Sequence, residues 1–275
     1  MKKDVHSLQL KKNRGEKIVS LTAYDCMTAR LQEEAGVDFI LVGDSIAMAV
    51  FGEETTLGAD LDVLIAHTKA VSRGAANTLV VGDMPFGSYE RSDSQAVRNA
   101  ARFLSEGGAD AIKLEGGSNR SVSRVRAIID SGIPVMGHIG LLPQSIEQAG
   151  GYKVVYSNKR DELFEEAFAL QQAGVFSIVF ECIEEELAAE LTGKLEVPTI
   201  GIGAGRYTDG QILVVNDILG LSGDFEPRFV KKYAQLDDII LEAVNQYSRE
   251  VRDGEFPADS NVYHARNLSN NEPLA

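Results

Sequence analysis

The stretch EAGVDFILVGDS, residues 34–45, holds in miniature the unit from which the fold is built. Gly36 separates a helix-like pattern from an apolar run, 38–45, that is continuous rather than alternating and closes on the polar pair Asp44 and Ser45. Glycine tolerates the left-handed backbone that commonly ends a helix. An unbroken apolar strand is one buried on both faces, as in a parallel sheet covered by helices. The same junction recurs as EGGAD (106–110), DSGIP (130–134) and QAGVF (172–176), with Gly108, Gly132 and Gly174 in the equivalent place. Further apolar runs occupy 17–24, 78–84, 111–115, 133–138, 176–181, 197–203 and 211–217. Between them lie residues at helical spacing, for example Leu61, Leu64, Ile65, Thr68 and Val71, or Val97, Ala100, Ala101 and Leu104. Eight strands alternating with helices through right-handed crossovers predict an α/β fold, a closed (β/α)8 barrel.

The pattern thins towards the end of the chain. Residues 204–210 leave too little chain between the last two runs for a crossover helix, which normally takes a dozen residues or more. The eighth strand is therefore the least anchored element. Residues 237–251 read as a helix, and 253–275 as a polar tail with Pro257 and Pro273, expected to be ordered only by a partner. No linker interrupts the chain, so residues 1–275 are expected to form one barrel domain with a core at about 17–251.

A chain of 275 residues with 44% hydrophobic content suffices for one large core. Its 27 basic and 41 acidic residues give a net charge of -14 without a basic stripe, which argues against nucleic-acid or anionic-membrane binding. The N-terminal sequence lacks a signal-peptide core, and no run approaches the roughly 20 apolar residues of a membrane span. The expected location is the cytoplasm. Cys26 and Cys182 have no CxxC or Cys/His spacing, so they are expected to be packed thiols, not a disulfide or a zinc site.

Active sites of such barrels lie at the C-terminal strand ends. There the sequence offers Tyr24 and Asp25, Asp44 and Ser45, Asp83, Lys113 with Glu115, His138, and Glu181. Hard carboxylate oxygens from Asp44, Asp83 and Glu115, with no thiol nearby, favour Mg²⁺. Taken singly, each aspartate could equally cap the following helix. Lys113 and Glu115, two apart, project to one side of a strand, where the cation would suit a substrate carboxylate or form an internal ion pair. His138 is a candidate hydrogen-bond donor or proton carrier. His6, His67 and His264 read as structural or solvated. Glu181 ends a strongly apolar run, so its carboxylate should be partly desolvated, which makes it the best base candidate. Glu184, Glu185 and Glu186 begin a helix, where negative charge suits the dipole. GIGAG (201–205) is spaced GxGxG rather than GxGxxG and reads as close backbone approach at the pocket rim.

With these residues assembled, the chain resembles the ketopantoate hydroxymethyltransferases, which act on 3-methyl-2-oxobutanoate in pantothenate biosynthesis. The matching phrases are LTAYD, AGVDFILVGDS, VGDMPFGSY, IKLEGG, IPVMGHIGLLPQS, GGYK, IVFEC, VPTIGIGAG and DGQILVVNDILGL, in order over roughly 18–257. The resemblance implies a barrel of the phosphoenolpyruvate/pyruvate-binding type. It implies that Asp44, Asp83 and Glu115 bind or orient Mg²⁺, that Ser45 and Lys113 hold the oxoacid beside Asp44, Asp83 and a substrate-contacting His138, and that Glu181 accepts a proton. The implied reaction is metal-assisted enolisation of 3-methyl-2-oxobutanoate, after which the enolate attacks the one-carbon unit of 5,10-methylenetetrahydrofolate. The products are 2-dehydropantoate and tetrahydrofolate, the first committed step towards pantothenate, and the implied assembly is a homodecamer. Leu142 departs from the family's HIGLTPQ phrase, which has threonine there.

Two other readings remain. A lyase or mutase of the isocitrate lyase and phosphoenolpyruvate mutase type would use a related barrel, although the lyases' KKCGH phrase is absent. A non-catalytic metabolite-binding protein would retain the pocket without turnover, and only turnover separates it.

Overall fold

The unbroken apolar runs form strands whose two faces bury different things. The computed structural model describes residues 2–151, 153–223 and 227–264. In it β1 (Ile18–Thr22), β2 (Phe39–Val42), β3 (Leu79–Asp83), β4 (Ala111–Lys113), β5 (Val135–Gly140), β6 (Ser177–Glu181), β7 (Thr199–Ile202) and β8 (Gly210–Leu213) pair in parallel and in chain order. β8 returns to β1 and closes the barrel. Along β2, Phe39 and Leu41 join the barrel interior with Leu79, Val81, Val179 and Ile200, whereas Ile40 and Val42 belong to the layer between strands and helices. Alternation with both faces apolar is why the sequence looks continuous.

The helices follow in chain order: α1 (Val5–Arg14), α2 (Cys26–Glu34), α3 (Ile46–Ala49), α4 (Leu61–Gly74), α5 (Asp93–Ser105), α6 (Asn119–Asp130), α7 (Ile146–Ala149), α8 (Arg160–Ala173), α9 (Glu185–Lys194), α10 (Val215–Leu219) and α11 (Leu236–Asp253). Leu8 of α1 is fully buried in the interior cluster, which closes the N-terminal end of the barrel. Gly36, Gly108, Gly132 and Gly174 have φ of 82°, 71°, 89° and 97°, the left-handed conformation expected of all four junctions.

Two expectations need correction. The run 211–217 is a strand only to Leu213. Val215–Leu219 is helical, begins where the Val215 amide donates to Thr22 Oγ1 at 3.1 Å, and ends at Gly220 in the left-handed conformation. A short apolar run does not by itself distinguish strand from buried helix. β7 and β8 are parallel although residues 203–209 join them without a helix. The Asp209 carboxylate holds that tight link by accepting from the Thr199 amide at 2.8 Å and its hydroxyl at 3.1 Å. Cys26 is exposed at the start of α2 rather than packed, while Cys182 is half-buried.

The expected helix at 237–251 is α11, slightly longer. None of its residues is buried, and Ile239, Ile240, Leu241, Val244 and Tyr247 stand exposed. Val19 of β1 is 52% exposed on the barrel's outer face. Of the expected tail, residues 254–264 are exposed, and 265–275 lie outside the described residues. Among the described residues no helix is long and apolar enough to cross a membrane.

Candidate active site

The alternation that fills the barrel interior also delivers its polar end. Val81 points inward, and so does Asp83 two residues on. In the same way Ala111 leads to Lys113 and Glu115, Met136 to His138, and Val179 to Glu181. On β2 that inward place falls to Gly43, where a Cβ would come within 2.9 Å of Ser45 Oγ and 3.7 Å of Asp83 Oδ2. Its absence lets Asp44 and Ser45 turn into the site, and the Asp44 amide donates to Asp83 Oδ2 at 3.2 Å. Asp44, Ser45, Asp83, Lys113, Glu115, His138 and Glu181 line one cavity of about 410 Å³, within the usual size range of small-molecule sites.

Charges alternate along its floor. Lys113 Nζ donates to Asp83 Oδ1 at 2.6 Å and lies 3.9 Å from Glu115 Oε1. His138 Nδ1 is 3.4 Å from Glu115 Oε1, and its Nε2 is 3.2 Å from Glu181 Oε2. The histidine contacts are ionic rather than aligned hydrogen bonds, since neither ring nitrogen nor Glu115 Oε1 has a hydrogen-bond partner among the described residues. Burial disfavours the Lys113 ammonium, but Asp83, Glu115 and Asp44 together more than offset it and hold the group charged. Burial likewise disfavours the imidazolium, yet Glu115 and then Glu181 raise His138 to about 9. Asp44 and Asp83 are each pushed up to about 6, chiefly by burial, with Glu115 adding repulsion at Asp44 and Lys113 opposing the shift at Asp83.

Asp44 and Asp83 are buried, and Glu115 Oε1 is a buried acceptor without a donor among the described residues. An all-oxygen donor set of this kind suits a hard divalent cation. Among the described residues no three of these side chains close directly around one point. A fit therefore needs one or two direct carboxylates with water and substrate completing the shell, which is the usual habit of magnesium.

Two residues named from the sequence fall outside. Asp25 caps α2, accepting from the amides of Met27 and Thr28. Tyr24 is buried behind the pocket, its hydroxyl 2.9 Å from Ser45 Oγ, and burial pushes it up to about 12. The glycine reading holds at the rim: a Cβ on Gly203 would meet the Phe229 ring at 2.8 Å, and one on Gly205 would meet Glu185 at 2.5 Å.

Sequence reasoning missed Gln144. Its side-chain amide donates to Asp44 Oδ2 at 2.9 Å and to Met84 O at 3.0 Å, its Oε1 accepts from the Tyr89 hydroxyl at 2.7 Å, and its backbone amide donates to Glu115 Oε2 at 3.1 Å. It thus ties two of the carboxylates together. The available signal was a glutamine after Pro143 in an otherwise apolar strand-to-helix loop. Asp217 and Phe229 were missed as well, the first because it was placed in a strand.

The family model described as ketopantoate hydroxymethyltransferase matches residues 2–259. A protein of Syntrophomonas wolfei named 3-methyl-2-oxobutanoate hydroxymethyltransferase is 52% identical over 261 residues, covering 94% of each chain. A Pseudothermotoga lettingae protein of the same name is 52% identical over 94% of this chain and 98% of its own. Among solved structures, a 2,3-dimethylmalate lyase of the PEP mutase/isocitrate lyase superfamily matches with TM-score 0.62 and 19% identity, covering 95% of this chain and 92% of that one. Phosphonopyruvate hydrolase, solved with oxalate and Mg²⁺, matches with TM-score 0.61 and 13% identity, covering 97% and 93%. At these identities the structural matches speak to the barrel fold alone.

Proposed function

The chain belongs to the ketopantoate hydroxymethyltransferase family, and from that premise we propose that it is a 3-methyl-2-oxobutanoate hydroxymethyltransferase that takes its one-carbon unit from 5,10-methylenetetrahydrofolate. The observation that carries the reading is the row Asp83, Lys113, Glu115, His138, Glu181, which ends at the one carboxylate with solvent access. The Glu181 side chain is 16% exposed, against 5% or less for the other four.

In this reading Asp44 and Asp83, with Glu115 behind them, hold Mg²⁺. When bound, the ion supplies a Lewis acid for the carboxylate and 2-oxo oxygens of the substrate. The Lys113 ammonium and the Ser45 hydroxyl receive the substrate carboxylate. Glu181 Oε2 accepts the C3 proton, the C–H pair becomes the C2–C3 double bond, and the carbonyl π pair moves onto the 2-oxygen. The His138 imidazolium lies between Glu115 and Glu181, its Nε2 3.2 Å from Glu181 Oε2, and so sets a positive charge beside the base. The donated carbon is at the oxidation level of formaldehyde, so one water supplies the hydroxyl oxygen. That water displaces tetrahydrofolate, both C–N bonds to the one-carbon unit breaking and the two nitrogens taking the water's protons. C3 then attacks the formaldehyde carbon, the C=O π pair becomes an alkoxide, and the alkoxide takes the proton held by Glu181.

Several further expectations belong to the same proposal. We take residues 1–275 as one barrel domain with a C-terminal tail, working in the cytoplasm on small-molecule substrates. A homodecamer accords with the uncovered apolar face of α11 and the exposed Val19, which are surfaces of the kind that self-association buries.

The test is proton NMR of 3-methyl-2-oxobutanoate in D₂O. Loss of the C3 proton signal that requires Mg²⁺, followed by appearance of the hydroxymethyl product on adding 5,10-methylenetetrahydrofolate, is the expected result. An enzyme that neither exchanges nor transfers has another substrate.

A further inference from the structure

The cavity extends well beyond the charged row. Its β7–β8 side is formed by Ile202, Ile212, Leu213, Val214 and Phe229. Among the described residues that side holds a single carboxylate, Asp217, at the centre of α10. Asp217 is half-buried, and burial raises its pKa. One oxygen, Oδ1, accepts from the Ser222 hydroxyl. Its other oxygen has no hydrogen-bond partner among the described residues. The Phe229 ring lies against the backbone at Gly203, the residue after Ile202, and Ile202 is the register partner of Glu181 on β6. The apolar side therefore begins one strand away from the proposed base.

A five-carbon oxoacid held by Lys113 and Ser45 has no use for a carboxylate on that far side. A flat heterocycle does, if it offers two adjacent N–H donors to a carboxylate and a ring face to Phe229. We propose that the β7–β8 side is the pterin subsite of the folate donor, with Asp217 accepting the N3–H and 2-amino protons and Phe229 lying along the ring. This inference rests on the donor reading above. The pairing is the fork of parallel N–H···O bonds that carboxylates make with planar donors, and an oxygen already bonded to Ser222 retains capacity for a second donor. Supplying two donors to a partly desolvated carboxylate also relieves the cost of its burial. The subsite adjoins the base through the Glu181–Ile202 register pair, so a donor bound there lies in the same cavity as Glu181.

The experiment measures three quantities for D217N, F229L and S222A beside the unaltered enzyme with Mg²⁺: KM for 5,10-methylenetetrahydrofolate, KM for 3-methyl-2-oxobutanoate, and the folate-free rate of C3 proton exchange. D217N is expected to raise the folate KM about tenfold or more, the size of a lost bidentate pair, with exchange and the oxoacid KM changed less than about twofold. F229L raises the same constant by a few fold. S222A, which keeps the carboxylate and removes only its structural bond, leaves all three near the starting values. An unchanged folate KM in both D217N and F229L overturns the subsite while the donor reading stands. Equal losses of exchange in D217N and S222A overturn it too, because they assign Asp217 to loop structure alone. An unaltered enzyme that exchanges C3 but transfers nothing from the folate overturns the donor reading itself.

Discussion

From β3 to β6 the cavity is walled by five charged side chains on strands backed by helices. At β7 and β8 it is walled by apolar side chains and, among the described residues, one carboxylate, on strands joined by a seven-residue loop in place of a crossover helix, with the short α10 after β8. In the first region every charge is held by its neighbours, Asp83 by Lys113 at 2.6 Å and Glu181 by His138 at 3.2 Å. Removing one member there leaves another buried and uncompensated. In the second region a side chain can change without unbalancing anything. Damage in the charged half should therefore be general, reaching stability and both half-reactions, whereas damage in the apolar half should be confined to one substrate.

The largest expected effect is at Lys113. Lys113→Met leaves Asp83 and Glu115 buried without their cation and should cost about 3–5 kcal/mol of stability in urea unfolding, together with most of the activity. A stable variant would mean that the carboxylates are compensated elsewhere. Next is Gln144→Ala, which removes donors to Asp44 and to Met84 O as well as the acceptor for Tyr89. It should cost about 1–3 kcal/mol and weaken Mg²⁺ binding as measured by calorimetry.

A smaller effect follows from His138. Its pKa rises from 6.5 to about 9 in the folded protein. A group whose folded pKa is raised contributes stability that is complete below its unfolded value and disappears as pH climbs through the folded one. The melting temperature of metal-free protein should thus fall between about pH 6.5 and 9, and His138→Gln should flatten that limb. The smallest effect is Phe229→Leu, with less than about 1 kcal/mol lost and the folate constant alone changed. If it slowed C3 exchange as well, the two halves would not be independent.

The charged half was legible in the sequence and the apolar half was not, for a physical reason. A polar residue at the end of a continuous apolar run has few places to go in a barrel except the C-terminal mouth, so Asp44, Asp83, Lys113, Glu115, His138 and Glu181 could be named from position alone. Asp25 shows the limit of that rule, because a carboxylate three residues past a strand can turn outward and cap the next helix instead. Gln144 sits in a loop, where no periodicity indicates which way a side chain turns. Asp217 lay in an apolar run that folds half as strand and half as helix, and the shift in period moved it from an assumed strand end to the wall of the cavity. The short β7–β8 link was visible as a missing helix, but not what takes its place.

The central claim, that Glu181 is the base at the end of a row that otherwise only positions and binds, is tested most directly by Glu181→Gln. C3 proton exchange of 3-methyl-2-oxobutanoate would be followed by NMR in D₂O with Mg²⁺, and binding of the oxoacid by calorimetry. The account predicts exchange slowed by about 10²–10⁴-fold with oxoacid and Mg²⁺ affinity changed little. Exchange at the unaltered rate with binding intact would contradict it and move the base to another residue of the row.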